Sequence, residues 1–462
     1  MRYKEVFMFS NTIAAVSTPA GVGGIAVIRI SGDGALEVAQ KVFRSKGRCP
    51  EHGRSVYGEI LSGDRVIDDG IMVYFKAPHS FTGEDTVEIS CHGGRVITSM
   101  VLGAVLDAGA VQAKAGEFTK RAFVNGKLTL TRAEGIGDLL EAKTEEAAFL
   151  SSSSARGRLS DELSDTADRL TALIASLYAY IDYPDEDLQD LTDGEILAEI
   201  DFLKNRAARL VASFETGRAV TEGILTMIVG KPNVGKSSFF NKMLGEKRAI
   251  VTDISGTTRD MLEYPVKAGK VLLRLCDTAG LRGEGADEIE KIGISMVLER
   301  LSASDTELVL ALFDGSRPLD DDDRAVISRL SRLDARVIPI ITKSDLDRVI
   351  DAGEIEASLG RPEVISCEKD ELGGVVRRIE ESFVDGNIKL GEDAVLTNRR
   401  HLSCIMSFSK LLDEASASLR LGTKDITGSI LERALGVICE TDGRGADERI
   451  VNEIFSRFCV GK

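Results

Sequence analysis

The spacing of apolar residues in this chain of 462 residues changes along its length. Up to about residue 125, short apolar runs alternate with turn residues, which predicts strands mixed with a few helices. The predicted strands cover Ala26–Ile30, Val56–Ile60, Ile71–Phe75 and Thr86–Ser90. The predicted helices cover Ala35–Phe43 and Val96–Ala108. This first stretch is therefore expected to form an α+β domain.

Two later stretches carry the repeat of three and four residues that is typical of amphipathic helices. The first lies between about 130 and 218 and runs through Leu159, Leu163, Ala167, Leu170, Ile174, Leu177, Ile181, Ile196, Ile200, Leu203, Leu210 and Phe214. The second begins at about 398 and runs through Leu402, Leu412, Leu419, Leu431, Leu435, Ile450 and Ile454. Because each apolar stripe must be buried against a partner, we expect the two stretches to form one helical bundle.

Between the helical stretches, from about 220 to 383, strands and helices alternate again, which predicts a parallel sheet with crossover helices. The expected division is a domain of residues 1–125, a discontinuous helical domain of residues 126–217 and 384–462, and an inserted domain of residues 218–383. Inserted domains are tolerated when their two ends lie close together. The expected fold class is multidomain, with α/β and all-α parts.

The most informative motif lies at the start of the inserted domain. Gly230–Ser237 has the pattern Gly, four residues, Gly-Lys-Ser, and it follows the apolar run Ile224–Val229. A strand, loop and helix in this order place backbone N–H groups around an anion at the helix N-terminus. We therefore expect Lys236 to reach the β- and γ-phosphates of a nucleotide and Ser237 to ligate Mg²⁺.

Three further segments indicate a guanine nucleotide. Asp277–Gly280 follows an apolar run, at the place where a P-loop enzyme holds Mg²⁺ and meets the γ-phosphate. Thr342–Asp345 follows a second apolar run. The Asp345 carboxylate can accept hydrogen bonds from guanine N1–H and the 2-amino group, a donor pair that adenine lacks. Ser366 and Cys367 follow a third run and are expected to close over the base.

Two departures from the usual GTPase pattern change what is expected. Thr342 stands where the base-reading tetrad Asn-Lys-x-Asp has Asn, so we expect weaker support of the base rather than lost specificity. Leu281 stands where Ras-like enzymes place the Gln that orients the attacking water, so water must be positioned in another way. The polar segment Thr252–Asp260 is expected to supply a switch threonine that completes the Mg²⁺ shell, and the alternative is a polar turn between strands.

The switch segment and the Asp-Thr-Ala-Gly segment resemble the TrmE, Era and EngA group of translation GTPases. Other segments, spread over nearly the whole chain, resemble the MnmE (TrmE) family of tRNA-modification GTPases in particular. They are Pro19–Ser31, Ser80–Asp85, Cys91–Gly94, Gly116–Phe123, Asp182–Glu186 and Phe458–Lys462. This resemblance implies an N-terminal α+β folate-binding and dimerisation domain, a helical bundle, and an inserted Ras-like P-loop GTPase domain.

The resemblance also implies roles for residues of the GTPase domain. The residues that match GTP-binding positions are Asn233, Val234, Gly235, Lys236, Ser237, Ser238, Thr252, Asp253, Ile254, Ser255, Gly256, Thr257, Thr258, Asp277, Thr278, Ala279, Gly280, Thr342, Lys343, Asp345, Ser366 and Cys367. The implied Mg²⁺ ligands are Ser237 and Thr258, and the implied K⁺ ligands are Asn233, Thr252, Ile254 and Thr257. K⁺ beside the β–γ bridge would neutralise transition-state charge as an arginine finger does.

Lys236 and Glu290 are the implied catalytic residues. Glu290 is the best match to the family's water-activating glutamate, although the segment around it is one residue longer than expected, and a solvated helix glutamate is the alternative. In the N-terminal domain the resemblance implies a tetrahydrofolate derivative, in the 5-formyl or methylene form. Its matching contacts are Arg29, Glu88, Lys127 and Lys462, which would otherwise be ordinary surface charges. Cys459 is either a one-carbon nucleophile or a spectator thiol.

Taken together, the resemblance implies a K⁺-activated GTPase and homodimer that modifies the wobble uridine of tRNA at C5. The added group is aminomethyl or carboxymethylaminomethyl, the partner is the flavoprotein MnmG (GidA) in a heterotetramer, and GTP hydrolysis drives domain rearrangement. One alternative is a ribosome-assembly GTPase switch of the Era/EngA type, which predicts a basic RNA-binding module after the GTPase domain. Another is a one-carbon transferase whose GTPase is only regulatory.

Composition limits the setting in which these activities operate. The chain is 43% hydrophobic, lacks an apolar run near the ~20 residues that span a bilayer, and begins without a signal-peptide pattern. Its seven cysteines are scattered, which favours a reducing cytoplasm and no membrane. The net charge of −16 disfavours a broad grip on nucleic acid, so tRNA binding needs a local patch or a partner. The acidic run Asp320–Asp323 indicates a solvated turn.

Overall fold

The structure is a computed structural model that describes residues 11–47, 49–182, 192–245, 263–276, 306–369, 371–445 and 448–461. The chain divides into two compact units. One contains Met1–Gly137, Ser154–Ile200 and Lys410–Lys462, and the other contains Asp138–Ser153 and Asp201–Ser409. The boundaries of the three domains expected from the sequence stay a prediction.

The first unit contains a seven-stranded sheet near the N-terminus. Its strands are β1 (Ile13–Val16), β2 (Ile25–Ser31), β3 (Phe43–Ser45), β4 (Ser55–Ser62), β5 (Arg65–Phe75), β6 (Thr86–His92) and β7 (Val111–Gln112). The strand order is β3-β4-β5-β6-β2-β1-β7, and all pairs are antiparallel except β1 with β7. Helices α1 (Ala35–Val42) and α2 (Arg95–Asp107) share one apolar core with the sheet. This is the α+β fold that the sequence predicts.

The largest extension of a strand beyond the apolar pattern is at β5. β5 begins at Arg65 rather than at Ile71, because residues 65–69 continue the hairpin with β4. The pattern missed this extension since Asp68 and Asp69 are poor strand formers that are held there by backbone pairing with Ile60 and Glu59.

Helices occupy most of the remainder of the chain outside the second sheet. They are α3 (Glu117–Val124), α4 (Leu130–Glu141), α5 (Glu145–Arg156), α6 (Arg158–Asp182) and α7 (Asp193–Thr221), followed near the C-terminus by α12 (Arg399–Arg420), α13 (Lys424–Thr441) and α14 (Glu448–Ser456). In the first unit α6 packs against α13, where a Cβ on Gly428 would lie 3.1 Å from the Tyr178 ring. The helical stripes therefore form a packed helical part, as predicted.

The second unit contains a six-stranded sheet with crossover helices. Its strands are β8 (Ile224–Val229), β9 (Glu263–Ala268), β10 (Val271–Cys276), β11 (Leu308–Asp314), β12 (Arg336–Thr342) and β13 (Glu363–Val364). Its helices are α8 (Lys236–Leu244), α9 (Asp321–Leu330), α10 (Ala352–Leu359) and α11 (Gly373–Phe383). The strand order is β13-β12-β11-β8-β10-β9, and only the edge pair β9–β10 is antiparallel.

Both faces of this second sheet are covered. Along β11, Leu308, Leu310 and Leu312 enter a core shared with α8 and α11, whereas Val309 and Phe313 enter a core shared with α9 and α10. The sequence of a strand that is buried on both faces is a continuous apolar run, as expected for a parallel sheet. The carboxyl ends of its parallel strands therefore meet along one edge, where ligands bind in sheets of this type.

Candidate functional sites

The loop between β8 and α8 has the geometry of a phosphate-binding loop. Asn233 and Gly235 both have positive φ, at 61° and 96°, so the backbone curls before the helix begins at Lys236. The Lys236 ammonium donates hydrogen bonds to the carbonyl oxygens of Gly230 and Lys231 at 2.8 and 2.6 Å. Lys236 thus folds over its own loop, at a helix N-terminus that favours an anion. Ser237 and Ser238 lie exposed on the first helical turn.

The predicted base-reading residues lie at the ends of two neighbouring strands. The Ser366 hydroxyl donates a hydrogen bond of 2.6 Å to the Asp345 carboxylate, and the Ser344 backbone N–H donates to Ile365. The hydrogen bond from Ser366 lowers the pKa of the Asp345 carboxyl, which stays ionised and able to accept hydrogen bonds. Cys367 follows Ser366 and is partly buried.

Thr342 links the base-reading loop to the phosphate loop. It is buried, and its hydroxyl oxygen lies 2.7 Å from the Val234 carbonyl oxygen and 3.1 Å from that of Phe313. Beside it, Lys343 has a positive φ of 60° and pairs with Asp314 at the end of β11, at 2.6 Å. The structure therefore brings the loop residues 233–238 and the base-reading residues 342–345 and 366 to the same edge of the sheet.

The acidic run Asp320–Asp323 begins a helix rather than forming a turn, so that expectation was wrong, although Asp320, Asp321 and Asp322 are exposed as expected. Asp320 and Asp323 form a reciprocal capping box at the start of α9, and Asp323 is buried. Both carboxylates also pair with Lys231 of the phosphate loop and with Arg317. The Asp320 and Asp323 carboxylates cap a helix and pair with two cations, and the local sequence does not reveal these partners.

The remaining predicted GTPase residues lie outside the part of the chain that the structure describes. They are Thr252, Asp253, Ile254, Ser255, Gly256, Thr257, Thr258, Asp277, Thr278, Ala279, Gly280 and Glu290, and in the N-terminal site Lys462. The roles implied for them stay predictions.

A second candidate site lies on the N-terminal sheet. Arg29 on β2 and Glu88 on β6 are directly opposite each other and form an ion pair, with Arg29 Nη2 2.8 Å from Glu88 Oε1. The Arg29 guanidinium lies over the rings of Phe81 and Phe118, at 5.5 and 5.7 Å. Lys127 donates a hydrogen bond of 3.0 Å to the carbonyl oxygen of Pro78, in the same loop as Phe81. Arg29 and Lys127 therefore both contact the loop of residues 78–83, and Glu88 is held beside Arg29.

The C-terminal tail reaches this N-terminal region. Val460 forms an antiparallel bridge with Ala115, and Gly116 N–H donates to the Cys459 carbonyl oxygen at 3.3 Å. Ser17, at the end of β1, donates to the Gly461 carbonyl oxygen at 3.1 Å. Cys459 is exposed, whereas burial raises the pKa of the Cys91 and Cys276 thiols to about 11 and leaves them unreactive.

A fully buried arginine, which sequence reasoning missed, supports this region. Arg121 on α3 pairs with Glu84 at 3.0 Å and with Glu117 at 2.9 Å. It also donates to the carbonyl and side-chain oxygens of Asn11. Because Glu84 and Glu117 belong to two of the segments that carry the family resemblance, the charge pattern in those segments could have suggested a buried pair.

The parallel sheet, the phosphate loop and the base-reading residues at its carboxyl edge define a Ras-like P-loop GTPase domain within a larger chain. Two family models match the chain: the GTP-binding protein TrmE N-terminus over residues 12–127 and the MnmE helical domain over residues 130–459. The chain belongs to the MnmE family of tRNA modification GTPases, so the family resemblance and the prediction of a GTPase are confirmed.

Curated relatives match over the full length. The tRNA modification GTPase MnmE of Acetivibrio thermocellus is 38% identical, over 100% of both chains. That of Thermotoga maritima is 36% identical, over 98% of this chain and 100% of the relative. Among solved structures, the match to the G domain of the T. maritima FeoB iron transporter covers 35% of this chain and 99% of that chain, at 22% identity and a TM-score of 0.27. Within the ranges described, each helix is too short or too polar to traverse a bilayer.

Proposed function

We propose that this chain hydrolyses GTP with K⁺ as activator and, together with the flavoprotein MnmG (GidA), modifies the wobble uridine of certain tRNAs at C5. The group added is aminomethyl or carboxymethylaminomethyl, and its carbon comes from a folate one-carbon unit. GTP hydrolysis drives a domain rearrangement in a homodimer. Family membership over the full length favours this function over a ribosome-assembly switch.

The observation that best supports the proposed binding and hydrolysis of GTP is the hydrogen bond from Thr342 to Val234, which joins the base-reading and phosphate loops. It places the Asp345–Ser366 pair and the Lys236 ammonium on one edge of one sheet. A guanine ring would meet an ionised carboxylate, and a triphosphate would meet a helix N-terminus and an ammonium group. The Lys236 ammonium has three N–H donors, and two of them are used by the carbonyl oxygens of Gly230 and Lys231.

The chemistry of the donors fits two hard cations. Ser237 offers a hydroxyl on the first turn of α8, where Mg²⁺ bound to the β- and γ-phosphates would be held. Asn233 offers an exposed amide oxygen from a backbone position with positive φ, which asparagine adopts more readily than most residues. K⁺ held there would supply positive charge beside the bond that breaks. Asn233 thereby takes the place of an arginine finger.

The charges of Lys127, Glu88 and Arg29 support the proposed binding of folate. The glutamyl tail of a folate is anionic, and Lys127 is an exposed ammonium group beside the loop of residues 78–83. Glu88 is held by Arg29, so its carboxylate has a fixed position from which to accept hydrogen bonds from pterin N–H groups. The tail bearing Cys459 docks on the same domain, which supports contributions from Lys462 and from Cys459.

The acidic composition supports a shared tRNA-binding surface rather than a grip by this chain alone. With 58 basic residues against 74 acidic ones, the net charge of −16 repels a polyanion. A partner that supplies cationic surface would resolve this conflict, and this is the role that we assign to the flavoprotein.

Nucleoside analysis of tRNA tests the proposed function. Total tRNA from cells that lack this protein should lose the C5 side chain of the wobble uridine. The wild-type gene should restore it, and a Lys236→Ala gene should not. Unchanged wobble nucleosides, together with accumulated ribosome-assembly intermediates, would overturn the proposal in favour of the assembly switch.

A further inference from the structure

A continuous set of ion pairs runs from the phosphate loop to the base-reading loop. Lys231 pairs with Asp320, which pairs with Arg317 at 2.9 Å. Arg317 in turn lies 3.8 Å from Asp314, measured from Nε to Oδ2, and Asp314 pairs with Lys343 at 2.6 Å. We call these residues, together with Asp323, the ion-pair network.

The network is anchored by buried carboxylates rather than lying loose on the surface. The side chains of Asp314 and Asp323 are only 8% and 5% exposed. Asp314 also accepts hydrogen bonds from the backbone N–H and hydroxyl of Ser316, at 3.0 and 2.6 Å. Asp323 is fixed by the capping box of α9. Pairs of this kind hold one geometry more firmly than exposed pairs do.

Each end of the network lies next to a residue that would touch the nucleotide. The Lys231 carbonyl oxygen accepts a hydrogen bond from the Lys236 ammonium, so the position of Lys231 affects where Lys236 rests. Lys343 has a positive φ and stands two residues before Asp345. The ion pair of Lys231 therefore restrains the backbone of the phosphate loop, and the ion pair of Lys343 restrains the backbone of the base-reading loop.

We infer that Arg317 is a positioning residue, which fixes the phosphate loop and the base-reading loop relative to each other through Asp314, Asp320 and Asp323. The network acts through Arg317, Asp314, Asp320 and Asp323, none of which matches a GTP-binding position, and Lys343 is the member that does. It preorganises both loops, so that GTP and GDP bind without first ordering them. This role rests on the proposed binding of GTP.

The first test compares two arginine variants of the full chain. Arg317→Gln breaks the network, whereas Arg324→Gln, on the neighbouring helix α9, breaks only the ion pairs of Arg324 with Glu354 and Asp321. Arg317→Gln should raise the GDP dissociation constant and the KM for GTP about tenfold and leave kcat within about twofold, because binding common to ground and transition states is lost. Arg324→Gln should match the wild type, and Arg317→Lys should restore part of the affinity.

The second test asks whether the two loops are coupled through Arg317. Lys231 pairs with Asp320, Asp322 and Asp323 and not with Asp314, so Lys231→Met and Asp314→Asn should have independent effects on GDP binding unless the network joins them. We expect the double variant to bind GDP about threefold or more tighter than the product of the single effects predicts. In an Arg317→Gln background the effects of the two changes on the GDP dissociation constant should simply multiply. The Thr342 hydrogen bond, which also joins the two loops, is intact in that background, so a loss of coupling is assigned to Arg317.

The outcomes distinguish a failure of the positioning role of Arg317 from a failure of the proposed function. If the wild-type chain does not bind GDP, the proposed GTPase function fails. If it does bind, and Arg317→Gln either binds normally or shows the same coupling as the wild type, the positioning role of Arg317 is wrong. Melting temperatures of all variants identify any loss of affinity that comes from unfolding alone.

Discussion

The Thr342 hydroxyl lies 2.7 Å from the carbonyl oxygen of Val234, so the residue that opens the base-reading loop is hydrogen-bonded to the middle of the phosphate loop. The sequence suggested only that a threonine would support the base less well than the usual asparagine. The structure gives Thr342 a different task, because its side chain points to the backbone of β11 and of the phosphate loop.

Thr342→Val should weaken nucleotide binding. The change keeps the shape of the side chain but removes the hydroxyl that donates to the Val234 carbonyl oxygen in a buried hydrogen bond, which costs about 1–3 kcal/mol. We expect the dissociation constant of a fluorescent GDP derivative to rise about tenfold. Thr342→Ser keeps the hydroxyl and serves as the control, and equal losses in the two variants would exclude the hydrogen bond as the cause.

Asp345→Asn should change the preferred base. An ionised carboxylate accepts from the N1–H and 2-amino groups of guanine, whereas an amide can donate to the 2-oxo group of xanthine. GTP hydrolysis at low substrate concentration should fall by about 100-fold, by analogy with sites that reject a mismatched hydrogen-bonding group, and XTP should become the better substrate. A variant that still prefers GTP over XTP would show that another residue reads the base.

Local patterns predicted the elements well, and long-range contacts explain what they missed. The strand, loop and helix around Gly230–Ser237 could be predicted because each depends on neighbouring residues. The burial of Arg121 depends on Glu84, from a segment 37 positions earlier, and the docking of Val460 on Ala115 joins distant parts of the chain. Asp323 appeared solvated in the sequence because its buried environment comes from Lys231 and Arg317.

Arg121→Met should destabilise the N-terminal domain strongly. It removes a buried cation and leaves Glu84 and Glu117 without their partner, a change that typically costs about 3–5 kcal/mol. The measurement is the urea midpoint of unfolding. Lys41→Met, which breaks only the exposed pair with Glu37, is the matched control and should leave the midpoint almost unchanged. Similar midpoints for the two variants would contradict a stabilising role for the buried network.

The His92–Asp68 pair predicts a pH-dependent contribution to stability. The hydrogen bond to Asp68, at 2.7 Å, raises the pKa of His92, and the hydrogen bonds from His92 lower the pKa of Asp68 although its burial opposes this. The stabilisation from His92 is thus complete below its unfolded pKa of about 6.5 and is lost as the pH rises through its raised folded pKa. The contribution of Asp68 is lost only as the pH falls below its usual range, toward its lowered folded pKa.

The melting temperature of His92→Gln should therefore fall below that of the wild type at pH 6 and approach it at pH 9. Asp68→Asn should also melt below the wild type at pH 6 but should stay below it at pH 9, because the Asp68 carboxylate still accepts a hydrogen bond from the His92 backbone N–H. A difference between wild type and His92→Gln that stays constant from pH 6 to pH 9 would mean that Asp68 does not raise the pKa of His92.

The most direct test of the whole account is the rate of GTP hydrolysis by the full chain in KCl and in NaCl at equal ionic strength. We predict a rate at least about tenfold higher in KCl, since one well-placed charge at the transition state is worth that much or more. Asn233→Gly, which tolerates the positive φ of this position but lacks the amide, should hydrolyse GTP equally slowly in both salts. Equal wild-type rates in the two salts, or a K⁺ response that survives in Asn233→Gly, would contradict the account.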